Sequence, residues 1–142
     1  MINLTPFLLF EGDKCAEAMA FYHACLGGEL TITRVGDMPM KDQAPLELHH
    51  KVAHAHLKSG AIEFSATDWQ HRTRTPKQGN TVALYINGGT YSQLREIFDK
   101  LAAGADKMLL DDLHDLSFGT YGHLADKYGV HWFFQGEKKP EA

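Results

Sequence analysis

Three side chains carry the clearest chemistry in this sequence: His54, His56 and Glu63. Val52 to Lys58 alternates, so Ala53, Ala55 and Leu57 point to one face of a strand and His54 and His56 to the other. In Ala61 to Ala66, Ile62 and Phe64 share a face while Glu63 and Ser65 share the opposite one. With the apolar faces against helices, the two histidines and the glutamate line the concave side of one sheet. Two imidazoles two apart on a strand, beside a carboxylate, are ligand chemistry suited to zinc, iron, nickel or manganese. The same three also suit a pocket that binds no metal, as hydrogen-bonding groups.

Other reactive residue types are read more plainly. His49-His50-Lys51 falls at a loop end and reads as solvated surface, and His71-Arg72-Thr73-Arg74 reads as a solvated linker that would otherwise suit an anion. Trp69 and Trp132 read as core or cavity wall. Cys15 and Cys25, placed on one helix, stand about 15 Å apart, beyond the ~7 Å reach of a disulfide, so they are expected as reduced thiols. Gly27-Gly28 and Gly88-Gly89 do not form a dinucleotide-cradling glycine loop, and there is no Walker motif or nucleophile elbow.

The elements that must position these residues follow from periodicity. Leu4 to Phe10 reads as a buried strand, and Asp13 as the cap of a helix running to about Leu26 and stopped by Gly27-Gly28. Ala18, Phe21, Tyr22 and Cys25 fall at helical spacing on it. Glu29 to Val35 reads as a strand. Gly36 to Lys51, with Met38, Met40 and Leu46 among prolines, reads as a long loop suited to be a lid. Val52 to Lys58 and Ala61 to Ala66 form strands joined at Ser59-Gly60, and residues 68–80 a polar linker. Thr81 to Ile86 reads as a strand. Thr90 and Gln93 form a capping box before a helix with the stripe Leu94, Ile97, Phe98 and Leu101, which Gly104 ends. Lys107 to Leu110, roughly Phe118 to Leu124, and Val130 to Gln135 complete the strands.

The order of strand, helix and three strands thus occurs twice. Pro6–Gly12 aligns with Ala83–Gly89, Phe21 with Phe98, and Gly27 with Gly104; after the long loop, His54 aligns with Tyr121 and His56 with His123. This points to a duplicated module, 1–68 and 80–136, with a linker at 69–79 and a polar tail at 137–142. By the duplication, Tyr121 and His123 occupy in the second sheet the places of His54 and His56 in the first. Each half alone is a marginal core, so the two are expected to pack as one domain around a cavity.

Composition bounds the rest. The 142 residues are 44% hydrophobic and 23% charged, an ordinary globular composition. The net charge of −4, from 14 Lys and Arg against 18 Asp and Glu, lacks the basic footprint of nucleic-acid binding or of an anionic membrane surface. No apolar run has the length of a membrane span and no signal peptide is visible, so a cytoplasmic location is expected.

In this duplicated βαβββ pattern the sequence resembles the vicinal oxygen chelate superfamily of glyoxalase I, extradiol dioxygenases and bleomycin-resistance proteins, and within it the PhnB-like branch. The resemblance rests on Pro6-Phe7-Leu8-Leu9-Phe10, Phe21-Tyr22, Gly27-Gly28, Val52-Ala53-His54-Ala55, and the closing run from Phe118-Gly119 through Asp126-Lys127-Tyr128-Gly129 to Trp132. Phe118 stands where the branch has Trp. The resemblance implies an α+β fold of two tandem modules with pseudo-two-fold symmetry, their mixed sheets curved around a cavity, and homodimers. Superfamily metal ligands lie on the first and fourth strands of each module. Here the first strands offer none, the fourth offers Glu63 in an Ile-Glu-Phe context, and its counterpart offers only His131 or Gln135, with Phe133 where a glutamate is expected. Some relatives are labelled demethylubiquinone methyltransferase, but nothing in the sequence resembles an S-adenosylmethionine loop on a doubly wound sheet.

Two functions follow. One is binding of a small molecule in a cavity between the modules without an assignable reaction, with His54, His56, Glu63, Tyr121, His123 and Phe118 as ligand contacts. The other is a divalent-metal-dependent lyase, isomerase or dioxygenase acting on vicinal oxygens, with the metal on His54, His56 and Glu63.

Overall fold

The computed structural model of the chain describes residues 1–71 and 73–141; Arg72 of the linker and Ala142 of the tail lie outside the described residues. The chain forms two compact units, Met1–Lys77 and Gln78–Ala142. The first unit contains β1 (Phe7–Phe10), α1 (Cys15–Leu26), β2 (Glu29–Arg34), β3 (Val52–Ser59) and β4 (Ile62–Asp68). The second contains β5 (Leu84–Asn87), α2 (Tyr91–Leu101), β6 (Asp111–Leu116), β7 (Gly119–Ala125) and β8 (His131–Gly136). The sheets have the same topology, β1-β4-β3-β2 and β5-β8-β7-β6, and neither closes into a barrel. In each, the first strand runs parallel to the fourth and the other pairings are antiparallel. The module is therefore repeated, with two mixed four-stranded sheets and two helices.

Each helix buries one stripe against one face of its sheet. Ala18, Met19, Tyr22 and Cys25 of α1 are buried, and the Tyr22 ring meets Phe64 edge-on at 5.7 Å. Leu94, Phe98 and Leu101 do the same for α2, with Phe98 against Phe134 at 5.1 Å. The expected capping box is present: Thr90 Oγ1 accepts from Gln93 N–H at 3.2 Å, and Gln93 Oε1 accepts from Thr90 N–H at 2.9 Å. Gly28 (φ +82°) ends the α1 connection, and a Cβ there would sit 2.2 Å from the Lys58 carbonyl oxygen.

Several element boundaries differ from expectation. The first strand starts at Phe7, not Leu4, because Leu4 has no neighbour to pack on and is fully exposed. Residues 107–109, read as a strand, form a 3-10 turn, and the strand begins at Asp111. That strand, Asp-Asp-Leu-His-Asp-Leu, lies at a sheet edge, where charge is tolerated and the apolar signal is weak. Asp13 does not cap α1: its φ of +59° points it away, and it pairs instead with Lys51 and, at 2.8 Å, with His50 Nε2. The cap comes from Asp68, which the sequence places in the linker but which ends β4, 3% exposed. The long loop holds three 3-10 turns, and His49 Nε2 lies 2.9 Å from the Lys41 carbonyl oxygen.

The duplication alignment also shifts. Phe7 pairs with Ser65, which lies opposite His56; Tyr85 pairs with Phe133, which lies opposite His123. Tyr85, not Leu84, is thus the counterpart of Phe7. A slip of one residue on a strand exchanges its faces, so the sequence alignment put the wrong side chain on the site face. On the helices, the buried Tyr22, rather than the partly exposed Phe21, matches Phe98.

Candidate functional site

The face of each sheet opposite its helix carries the candidate residues. In the first unit, the cross-sheet rows are Phe7–Ser65–His56–Thr31 and Leu9–Thr67 beside His54–Thr33. Small side chains on β4 leave a hollow between Phe7 and the histidines. The Phe7 and His54 rings lie 6.2 Å apart at 26°, and His54 and His56 lie 6.5 Å apart at 13°. His56 Nε2 is 2.6 Å from Glu63 Oε2, with Lys58 Nζ 3.7 Å from the other carboxylate oxygen. The His56 hydrogen bond, then Lys58, holds the Glu63 carboxyl below the usual range. The pair is a carboxylate-oriented imidazole with its Nδ1 left to face a ligand.

The three residues do not fit the metal centre read from their types. Ligands of one ion converge on a point about 2 Å from each donor. Here the two imidazoles lie side by side as parallel plates, and Glu63 is engaged by His56 and Lys58. Among the described residues, no group of three or more His, Cys, Asp and Glu side chains is disposed to hold a metal ion.

The second unit replaces the hollow with rings. His123, from β7, packs on Phe133, from β8, with centroids 4.4 Å apart at 28°. His131 adjoins His123 at 5.6 Å, Tyr121 adjoins Phe133 at 6.1 Å, and His114 meets Tyr121 edge-on at 6.0 Å. Five rings therefore run across β8, β7 and β6 on the helix-free face. Burial, reinforced by the neighbouring His131 and opposed by Asp111, pushes the His123 imidazole below its ordinary value of 6.5. Kept neutral, it offers one donor and one acceptor.

Phe118 stands apart from these rings, on the turn between β6 and β7, 58% exposed. With Tyr85, Asn87, Gln135 and Lys138 it lines an open depression of about 620 Å³. Tyr85 Oη donates to Gln135 Oε1, and Gln135 is the register partner of Tyr121, so the depression adjoins the ring run. The six candidates thus fall into two groups, His54, His56 and Glu63 in one unit and Tyr121, His123 and Phe118 in the other. The sequence reading did not assign Phe7, Tyr85, His114 or a platform role for Phe133; the signal for them is strand register, which exchanges faces with every residue.

Other candidates have structural partners. Asp126, in the closing run, is 3% exposed and accepts from the Tyr128 and Val130 amides at 2.8 and 3.1 Å and from Trp132 Nε1 at 2.8 Å. Trp132 is core, whereas Trp69 lies in the linker and donates to the Arg74 carbonyl. Both cysteines are free and buried, and burial pushes the Cys15 thiol up to about 12.

Comparison with known proteins agrees with this architecture. Protein YjdN of Escherichia coli K12 is 26% identical over 145 residues, covering 96% of this chain and 96% of that protein. The crystal structure of protein PA1353 from Pseudomonas aeruginosa superposes with a TM-score of 0.81 at 26% identity, covering 98% of this chain and all of that one. The PhnB protein from Bacillus cereus, named as a 3-demethylubiquinone-9 3-methyltransferase, gives 0.68 at 27% identity over 95% and 99% of the two chains. At the level of fold alone, a glyoxylase/bleomycin resistance protein/dioxygenase domain from Frankia gives 0.61 at 14% identity, covering 99% of this chain and 96% of that one. A family model described as 3-demethylubiquinone-9 3-methyltransferase matches residues 2–135, and the chain belongs to that family, the PhnB-like branch of the vicinal oxygen chelate superfamily.

Proposed function

We propose that this protein binds a flat, largely apolar small molecule with one hydrogen-bonding edge on the helix-free faces of its sheets, chiefly that of the second module. The observation that carries this reading is the five-ring run His131–His123–Phe133–Tyr121–His114 on a sheet face that no helix covers. A solvated face would carry flexible charged chains. Rigid rings instead offer stacking area at low entropic cost, each ring contact contributing about 0.5–1.5 kcal/mol beyond burial. The neutral His123 imidazole and the Tyr121 hydroxyl supply the polar edge.

The methyltransferase activity in the family's description is not part of this proposal. Two mixed four-stranded sheets, each with one helix, are a different scaffold from a doubly wound sheet with a glycine-rich loop at its switch point. A metal-dependent reaction through His54, His56 and Glu63 is likewise left aside, because their donors do not converge.

The test uses 2-naphthol and quinoline as probes in thermal denaturation. A ligand at about 100 times its Kd stabilises the fold by about 2.7 kcal/mol. The wild type is expected to show a saturable rise in Tm with at least one probe, and Phe133→Ala to lose most of it. Equal rises in the two proteins would overturn the proposal, as would no rise with either probe.

A further inference from the structure

We infer that His123 and His131 form a two-imidazole site for a divalent late transition-metal ion, of the zinc or nickel class, on the helix-free face of the second sheet. The site lies outside the strands on which the superfamily resemblance places metal ligands in combination, since His123 belongs to β7. It uses no part of the His54, His56 and Glu63 group.

The distance between the two rings carries the inference. His123 Nε2 and His131 Nδ1 are 3.3 Å apart. Two nitrogens bound to one tetrahedral ion at about 2.0–2.1 Å lie about 3.3–3.4 Å from each other, so the spacing already present is that of adjacent ligands. The ring planes differ by 15° and the centroids are 5.6 Å apart. With the nitrogens at 3.3 Å, these values place the rings edge to edge, nitrogen facing nitrogen. A small tilt of each ring turns both lone pairs to a common point above the pair. By contrast, His54 and His56 are offset plates, and His56 Nε2 is engaged by Glu63.

The surroundings suit a cation. Phe133 packs against the His123 ring at 4.4 Å and fixes its plane. Asp111, the register partner of His123 on β6, supplies a carboxylate on the same face, 3.8 Å from His114 Nδ1. Without metal, one proton is shared between the facing nitrogens of the neutral pair. On binding, that proton moves to the outer nitrogen of its own ring, so both rings stay neutral and no net proton is released. Water fills the remaining coordination positions. Imidazole is a favoured ligand of zinc and nickel.

The experiment titrates the full-length protein with Zn²⁺ alone, by calorimetry in a non-chelating buffer and by ¹⁵N NMR of the histidine rings. One ion per chain is expected, with His123 Nε2 and His131 Nδ1 shifting together. His123→Gln and His131→Gln should each weaken uptake about tenfold or more, while His23→Gln on α1 leaves it unchanged. Should a variant misfold, the ring-nitrogen shifts of the wild type decide alone. The inference is overturned by unmoved His123 and His131 nitrogens, by shifts confined to His54 and His56, by uptake that survives His131→Gln in a folded variant, or by no saturable uptake below millimolar Zn²⁺.

Discussion

Asp68 Oδ1 accepts the backbone amide of Cys15 at 2.9 Å, so the last residue of β4 caps the helix that begins 53 positions earlier. Its second oxygen accepts the Val52 amide at 2.8 Å. One buried carboxylate thereby joins the start of α1, the start of β3 and the end of β4. Replacing Asp68 with Ala leaves two buried donors unpaired, and charge-assisted bonds of this kind contribute about 1.5–3 kcal/mol each. Urea denaturation should show Asp68→Ala less stable by about 3–5 kcal/mol. A loss below about 1 kcal/mol would mean that water or a neighbour replaces the carboxylate.

The cysteines should be inert in the folded state. Both are buried, and with its thiol pushed up to about 12, Cys15 carries almost no thiolate near neutrality. A chromogenic disulfide reagent at pH 8 is expected to react with neither until denaturant is added. Prompt labelling of the native protein would contradict the described burial.

Asp13 should make the long loop sensitive to acid. The Lys51 ammonium, then His50, holds its carboxyl below the ordinary value of 3.8. Because the folded value is the lower one, this contribution is complete above 3.8 and disappears as the pH falls through the folded value. The group is exposed, so the expected effect is local. Amide resonances of residues 36–51 should shift on acidification below that point, and Asp13→Asn should reproduce the shift at neutral pH. Unaltered loop resonances in Asp13→Asn would show that the ion pairs do not hold the loop.

Self-association is expected because each sheet ends on strands with unpaired edges, β1 and β2 in one and β5 and β6 in the other. A two-fold homodimer is the commonest closed assembly. Light scattering at micromolar concentration should return twice the chain mass of 15.9 kDa. A single-chain mass would refute it.

The helices, the capping box and the order of elements were legible in the sequence because their signals are local: Thr90 lies three residues from Gln93, and Leu94, Phe98 and Leu101 repeat at helical spacing. The shared face of His54, His56 and Glu63 was legible for the same reason, since alternation within a strand is local. The Asp68 cap was not, because its partner is 53 positions away. Nor was the ring run. It depends on Phe133 lying opposite His123 and on an irregular register between Asp111 and His114 that brings His114 beside Tyr121, and neither pairing has a signature within one strand. The metal reading of His54, His56 and Glu63 failed for a related reason: residue types and a shared face do not establish that lone pairs converge.

The most direct test of the account is to locate where a flat ligand binds. In ¹H–¹⁵N and aromatic ¹H–¹³C spectra titrated with 2-naphthol, the account predicts saturable shifts concentrated on Tyr121, His123, His131 and Phe133, with little change on α1 or α2. Shifts spread over the helices, or absent from these four rings at saturation, would contradict it.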